Sequence, residues 1–73
     1  MVINLKVSDR TLKFTAKGRK THTGEGIEGL LSLIEDNSEP IIAVNLTGRS
    51  SSYTFSRQVA LLTRILRRLA QEN

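Results

Sequence analysis

The sequence predicts an α+β domain in which a small three-stranded sheet packs as a two-layer sandwich against two helices on one face. Three observations support this fold class. Residues 2–7 and 11–17 alternate between apolar and polar side chains, the period of a half-buried strand. Residues 24–36 and 54–70 place apolar side chains at helical spacing. A chain of 73 residues has the length of one domain, so we expect residues 1–73 to form a single domain.

The first two predicted strands form a hairpin. Ile3, Leu5 and Val7 face one side of the first strand, and the polar segment Ser8–Arg10 turns the chain. In the second strand, the core-facing side chains are Leu12, Phe14 and Ala16. The next residues, 17–23, are polar and basic, and we predict a loop there.

The first predicted helix covers residues 24–36, with Thr23 as its N-cap. Its glycines, Gly24, Gly26 and Gly29, have the spacing of a dinucleotide-binding fingerprint. That fingerprint requires a strand immediately before it and an acidic residue about 20 positions later. The sequence predicts that neither condition is met, because we expect a basic loop before the glycines and position 49 is an arginine. We therefore interpret these glycines as a flexible or closely packed helix start and expect no cofactor.

The third predicted strand, residues 41–47, is almost continuously apolar, which is typical of a strand covered on both faces, either central in the sheet or at a dimer seam. It gives the element order β-β-α-β-α. The sheet face away from the helices is then predicted to be half apolar and to carry Val2, Asn4, Lys6, Lys13, Thr15, Ile41, Ala43 and Asn45.

The last predicted helix, residues 54–70, has a wide apolar stripe. Its centre consists of Phe55, Val59, Leu62, Leu66 and Leu69, and Leu61 and Ile65 widen it. This stripe exceeds what one small sheet can cover, so it favours a helix–helix or subunit contact. The chain also has no cysteine that could supply a disulfide. We therefore expect a homodimer.

Charge is segregated along the chain, although the net charge is only +4. Residues 1–23 carry +5, residues 24–40 carry −5 and residues 41–73 carry +4. The last helix carries Arg57, Arg64, Arg67 and Arg68, and no acidic residue precedes Glu72 on it. Arg57, Arg64 and Arg68 fall within about 40° of one another around the helix axis. Guanidinium groups bind phosphate in a bidentate manner, so this face is the main candidate nucleic-acid-binding site.

Four further cations are candidates for supporting phosphate contacts. Lys17, Arg19 and Lys20 lie in the predicted basic loop, and Arg49 precedes the last helix. Arg49 is followed by Ser50, Ser51 and Ser52, whose hydroxyls suit either helix capping or a phosphate, with capping favoured.

The leading functional hypothesis is a small basic nucleic-acid-binding or regulatory protein that contacts the phosphate backbone of DNA or RNA. The alternative is a dimeric protein–protein interaction module, an adaptor or inhibitor, that acts through an apolar sheet and helix surface. The arginine face also fits a solvated surface, a contact with the acidic segment 25–39 of a second subunit, or an anionic membrane surface. Because the chain has no tryptophan, we expect no membrane binding.

Nothing in the sequence indicates an enzyme. His22 is the only histidine, and no nucleophile motif accompanies it. Without cysteine, a thiolate metal site is excluded. We expect no catalytic residue, metal or cofactor. The N-terminal segment lacks the pattern of a signal peptide, so we expect a cytoplasmic protein.

Overall fold

A computed structural model of the protein describes residues 1–72 and contains a four-stranded sheet and two helices. The elements are β1 Val2–Ser8, β2 Thr11–Lys17, β3 Thr21–Glu25, α1 Ile27–Asp36, β4 Ala43–Arg49 and α2 Tyr53–Gln71. The strand order across the sheet is β3-β2-β1-β4. β1 is antiparallel to β2 and parallel to β4, and β2 is antiparallel to β3. The predicted α+β class is confirmed, whereas the prediction of three strands is wrong.

The additional strand, β3, lies where we predicted a basic loop. Only Gly18–Lys20 turn the chain, and Thr21–Glu25 then pair with β2. On the core side of the sheet, β3 places Gly24 opposite Phe14 and His22 opposite Ala16. This strand carries no large apolar side chain, so apolar alternation could not reveal it.

The first helix also begins later than predicted. It starts at Ile27, and its N-cap is Gly26, which has a φ of 85° and makes no side-chain cap hydrogen bond. The predicted N-cap, Thr23, instead lies in β3. Because β3 occupies residues 21–25, the chain turns into the helix only at Gly26, where a positive φ favours glycine.

The core lies between the sheet and both helices, so the helices share one face as predicted. From the strands it takes Ile3, Leu5, Val7, Leu12, Phe14, Ala16 and Val44, and from the helices Leu30, Val59, Leu62 and Leu66. Ile3, Leu5, Leu12, Leu30 and Leu66 are fully buried. Deleting such a side chain to alanine typically costs about 2–5 kcal/mol, so these contacts fix the position of α2 over the sheet.

Two predictions about the sheet are wrong, and both concern the segment from Pro40 through β4. Ile41 precedes the strand and lies in the core with 4% exposure, while the amide of Ile42 donates to the carbonyl of Met1 at 2.9 Å. Ile41 therefore does not lie on the outer sheet face, which is more polar than predicted. β4 lies at an edge of the sheet beside β1, and it is not covered on both faces, because its residues from Asn45 to Arg49 are exposed within residues 1–72.

Within residues 1–72, neither helix combines the length and apolar character required to cross a bilayer.

Candidate nucleic-acid interface

The long helix α2 presents the main candidate residues, and hydroxyl groups fix its start. The hydroxyl of Ser52 caps the helix by accepting from the amide of Phe55 at 3.3 Å. The hydroxyl of Ser50 accepts from the amide of Ser52 at 3.0 Å, and the hydroxyl of Ser56 donates to the carbonyl of Ser50 at 3.1 Å. These bonds hold the first turn of α2 in a defined direction relative to β4.

The serine segment before α2 is thus engaged in internal hydrogen bonds. Besides the bonds of Ser50 and Ser52, the hydroxyl of Ser51 donates to Oδ1 of Asp9 at 2.8 Å, which joins this loop to the β1–β2 turn. Asp9 also lies beside Arg49, where a carboxylate opposes the binding of an anion. The geometry agrees with the favoured capping role of the serines.

The buried side of α2 is held against the sheet by Val59, Leu62 and Leu66. Thr63 is also buried, and its hydroxyl donates to the carbonyl of Val59 at 2.8 Å, so its polar group is satisfied inside the helix. With this side fixed, the helical period directs the arginines outward. All four, Arg57, Arg64, Arg67 and Arg68, are exposed.

Three of the four arginines line one open groove. Arg64, Arg67 and Arg68 surround a space of about 610 Å³ between α2 and the free edge of β4. Its floor includes Leu46, which is 37% exposed, and Thr63. We call this surface the arginine groove. It is open to solvent and combines cationic walls with a partly apolar floor.

Arg57 lies apart from this groove. It is seven residues before Arg64, which corresponds to about 10 Å along a helix. One of its guanidinium nitrogens, Nη1, donates to the phenol oxygen of Tyr53 at 3.3 Å. The structure therefore brings three of the four predicted helix residues together and leaves the fourth near the start of α2.

The arginines of the groove are not neutralised within residues 1–72. The single ion pair in this part of the chain joins Nε of Arg19 to Oε1 of Glu39 at 3.9 Å. The acidic side chains of α1, including Glu28, Glu35 and Asp36, are exposed and form no ion pair with α2 in this part of the chain. Glu39 contacts Arg19 and Glu25 lies opposite Lys13, so these two carboxylates approach cations of the N-terminal strands and their connecting turn and not those of α2.

Lys17, Arg19 and Lys20 lie away from the groove, whereas Arg49 lines a depression that shares Leu46 and Ala60 with it. Lys17 ends β2, and Arg19 and Lys20 form the β2–β3 turn at the opposite edge of the sheet. The amide of Arg19 also donates to Oε1 of Glu39 at 2.8 Å. Arg49 ends β4. The eight predicted residues therefore form separate groups and not one continuous site.

Two basic residues outside the predicted site occupy the outer sheet face. Lys6 and Lys13 are register partners on β1 and β2, and both are exposed. The alternation of the first two strands had already placed both on this face. The strand register places the two lysines side by side and could have added them to the predicted site. That register depends on the length of the hairpin turn.

Potential catalytic or metal-binding groups are sparse. Within residues 1–72, no cluster of three histidine or carboxylate side chains is arranged to hold a metal ion. His22 is half-buried at the sheet edge and lines a shallow depression with Asn37 and Glu39.

Comparison of the chain with protein-family models, curated proteins and solved structures gives no match. Its function is therefore inferred from its own residues.

Proposed function

We propose that this protein binds the phosphate backbone of a nucleic acid through the arginine groove of α2. The observation that carries this proposal is the convergence of Arg64, Arg67 and Arg68 on one open surface without a carboxylate partner in residues 1–72. Uncompensated guanidinium groups at close quarters favour a polyanion, because each forms charge-assisted hydrogen bonds with phosphate oxygens.

The distribution of aromatic residues favours backbone contacts over base stacking. Phe14 is buried and Phe55 packs against the core, whereas Tyr53 is 77% exposed and sits at the start of α2. Proteins that read single strands stack bases on aromatic platforms, and the outer sheet face carries none. We therefore expect a duplex as the preferred ligand and little dependence on sequence.

The test is a binding titration of short DNA and RNA duplexes over a series of salt concentrations. The double variant Arg64→Gln with Arg68→Gln should weaken binding and flatten the slope of log K against log salt by about two, because each neutralised phosphate contributes about 0.9 on duplex DNA. The matched control is Arg10→Glu, which changes the net charge by the same amount in the exposed β1–β2 turn. Absence of binding to any duplex at about 50 mM salt would refute the proposal.

A second candidate function, a homodimeric interaction module, is favoured by exposed apolar side chains on α2. Leu61 is 48% and Ile65 is 56% exposed, and they lie one turn apart on the same side of the helix. Burial of such residues between two subunits would add the stability that a short chain needs. The sheet part of this surface is less apolar than expected, because Ile41 lies in the core.

This second candidate is tested by light scattering coupled to size-exclusion chromatography. A dimer that Leu61→Asp with Ile65→Asp converts to a folded monomer would support it. A wild-type protein that remains monomeric at high concentration would eliminate self-association as its function. Ile41→Asp is unsuitable for this test because it places a charge in the core.

A further inference from the structure

The outer sheet face, away from both helices, carries charge and is covered by no element of residues 1–72. At its centre, Lys6 of β1 stands directly opposite Lys13 of β2, and neither forms an ion pair within residues 1–72. Directly opposed side chains in a sheet have Cβ atoms about 5 Å apart, and like charges in this arrangement repel each other. Two lysines placed in this way suit a shared anionic ligand that lies between them.

The positive charge of this face extends well beyond the lysine pair. Lys17 lies four residues after Lys13 on the same strand, which corresponds to about 13 Å. On this face, Glu25, beside Lys13 on β3, is the acidic strand residue. Cations spread over this distance exceed what one phosphate can contact, so the arrangement favours a polyanion.

Between these cations, the face is lined by neutral hydrogen-bonding groups. Thr23, Thr15, Asn4 and Asn45 form one continuous row across the four strands. Nδ2 of Asn45 donates to Oδ1 of Asn4 at 2.9 Å. The amide nitrogen of Asn4 is a further hydrogen-bond donor on this face. The apolar residues of the face, Val2 and Ala43, are small and half-buried. Protein interfaces have an apolar centre, and this face lacks one, which disfavours a protein partner.

We infer that the outer sheet face is a second phosphate-backbone surface, and that one molecule bridges two duplex segments. The arginine groove lies on the helix side of the sheet, and the shortest dimension of the domain is 18 Å. The groove and the lysine pair therefore open on opposite sides of the sheet, and we expect each to contact its own duplex segment. This inference rests on the proposed function of the groove, and it adds a second surface with its own residues.

The experiment measures bridging directly. One duplex is attached to beads, a second duplex carries a fluorophore, and the protein is added at low salt. Wild-type protein should retain the fluorescent duplex on the beads. Lys6→Glu should reduce this retention by about tenfold or more and leave binding of a single duplex within about threefold, since only the sheet contacts are lost. The substitution places a carboxylate opposite Lys13, so it removes a repulsion and should not unfold the protein.

The control for net charge is Arg10→Glu, which should retain bridging. Equal loss with Arg10→Glu and Lys6→Glu would overturn the inference, because net charge alone would then explain the effect. Retention of bridging by Lys6→Glu would also overturn it and would indicate a dimer that binds one duplex per groove. If wild-type protein binds one duplex without capturing a second, the bridging inference fails and the proposed function stands. Failure of the wild-type protein to bind any duplex would refute both the bridging inference and the proposed function.

Discussion

The ring of Phe14 on β2 lies against the backbone of Gly24, its register partner on β3. A Cβ atom at position 24 would come within 2.6 Å of Cζ of this ring. The ring therefore covers the core side of β3, which offers no large apolar side chain of its own. This contact attaches the polar edge strand to the core.

The first prediction follows from that contact. Gly24→Ala should lower the free energy of unfolding by about 1–3 kcal/mol, because the ring must move to admit the new methyl group. For a domain of this size, this loss corresponds to a melting temperature lower by at least about 4 °C. Thermal unfolding followed by circular dichroism measures it. Thr23→Ala, at the exposed neighbouring position, serves as the control, and equal loss in both variants would contradict the role of the ring.

The contact between Phe14 and Gly24 also shows why the sequence predicts only part of this fold. The periodicity of β1, β2 and α2 reflects one buried and one exposed face, so their positions follow from the sequence to within one or two residues. β3 is held by backbone pairing and by a side chain of the preceding strand, and neither leaves a pattern in Thr21–Glu25. The position of Ile41 was misjudged for a related reason, since an apolar run does not show where a strand begins.

The candidate site, like the fold, follows from the sequence only in part. The common outward direction of the arginines on α2 follows from helical geometry, which the sequence supplies directly. Their convergence at the edge of β4 depends on which strand lies under the helix, and the sequence does not specify that. The contact between Arg19 and Glu39 joins residues 20 positions apart, so no local sequence pattern distinguishes Arg19 from Lys20.

A second prediction concerns the start of α2. Ser52→Ala should destabilise the protein by about 1 kcal/mol, because the amide of Phe55 loses its capping acceptor. Ser51→Ala should have a smaller effect, since the hydroxyl of Ser51 contacts an exposed carboxylate outside the helix. Denaturant titration of both variants measures the difference. If Ser51→Ala proves the more damaging, the contact with Asp9 and not the cap fixes this helix.

A third prediction uses two neighbouring isoleucines with opposite environments. Ile41 is 4% exposed and Ile42 is 66% exposed. Ile41→Ala should cost about 2–4 kcal/mol through the lost burial and the cavity left behind. Ile42→Ala should stay within about 0.5 kcal/mol of the wild type. Chemical denaturation of the two variants measures the difference in their free energies of unfolding. The opposite ranking would show that Ile41 faces outward, as the sequence had suggested, and would restore the apolar outer face.

The last prediction compares two arginines of the same helix. Arg67 lines the groove, whereas Arg57 lies about two turns earlier and donates to Tyr53. If the groove is the binding site, Arg67→Gln should lower the salt slope of duplex binding by about 0.9, and Arg57→Gln should change it little. The two variants remove the same charge from exposed positions of one helix, so net charge is matched. Equal slopes for both would show that the ligand follows the whole outer side of α2 and not the groove at the edge of β4.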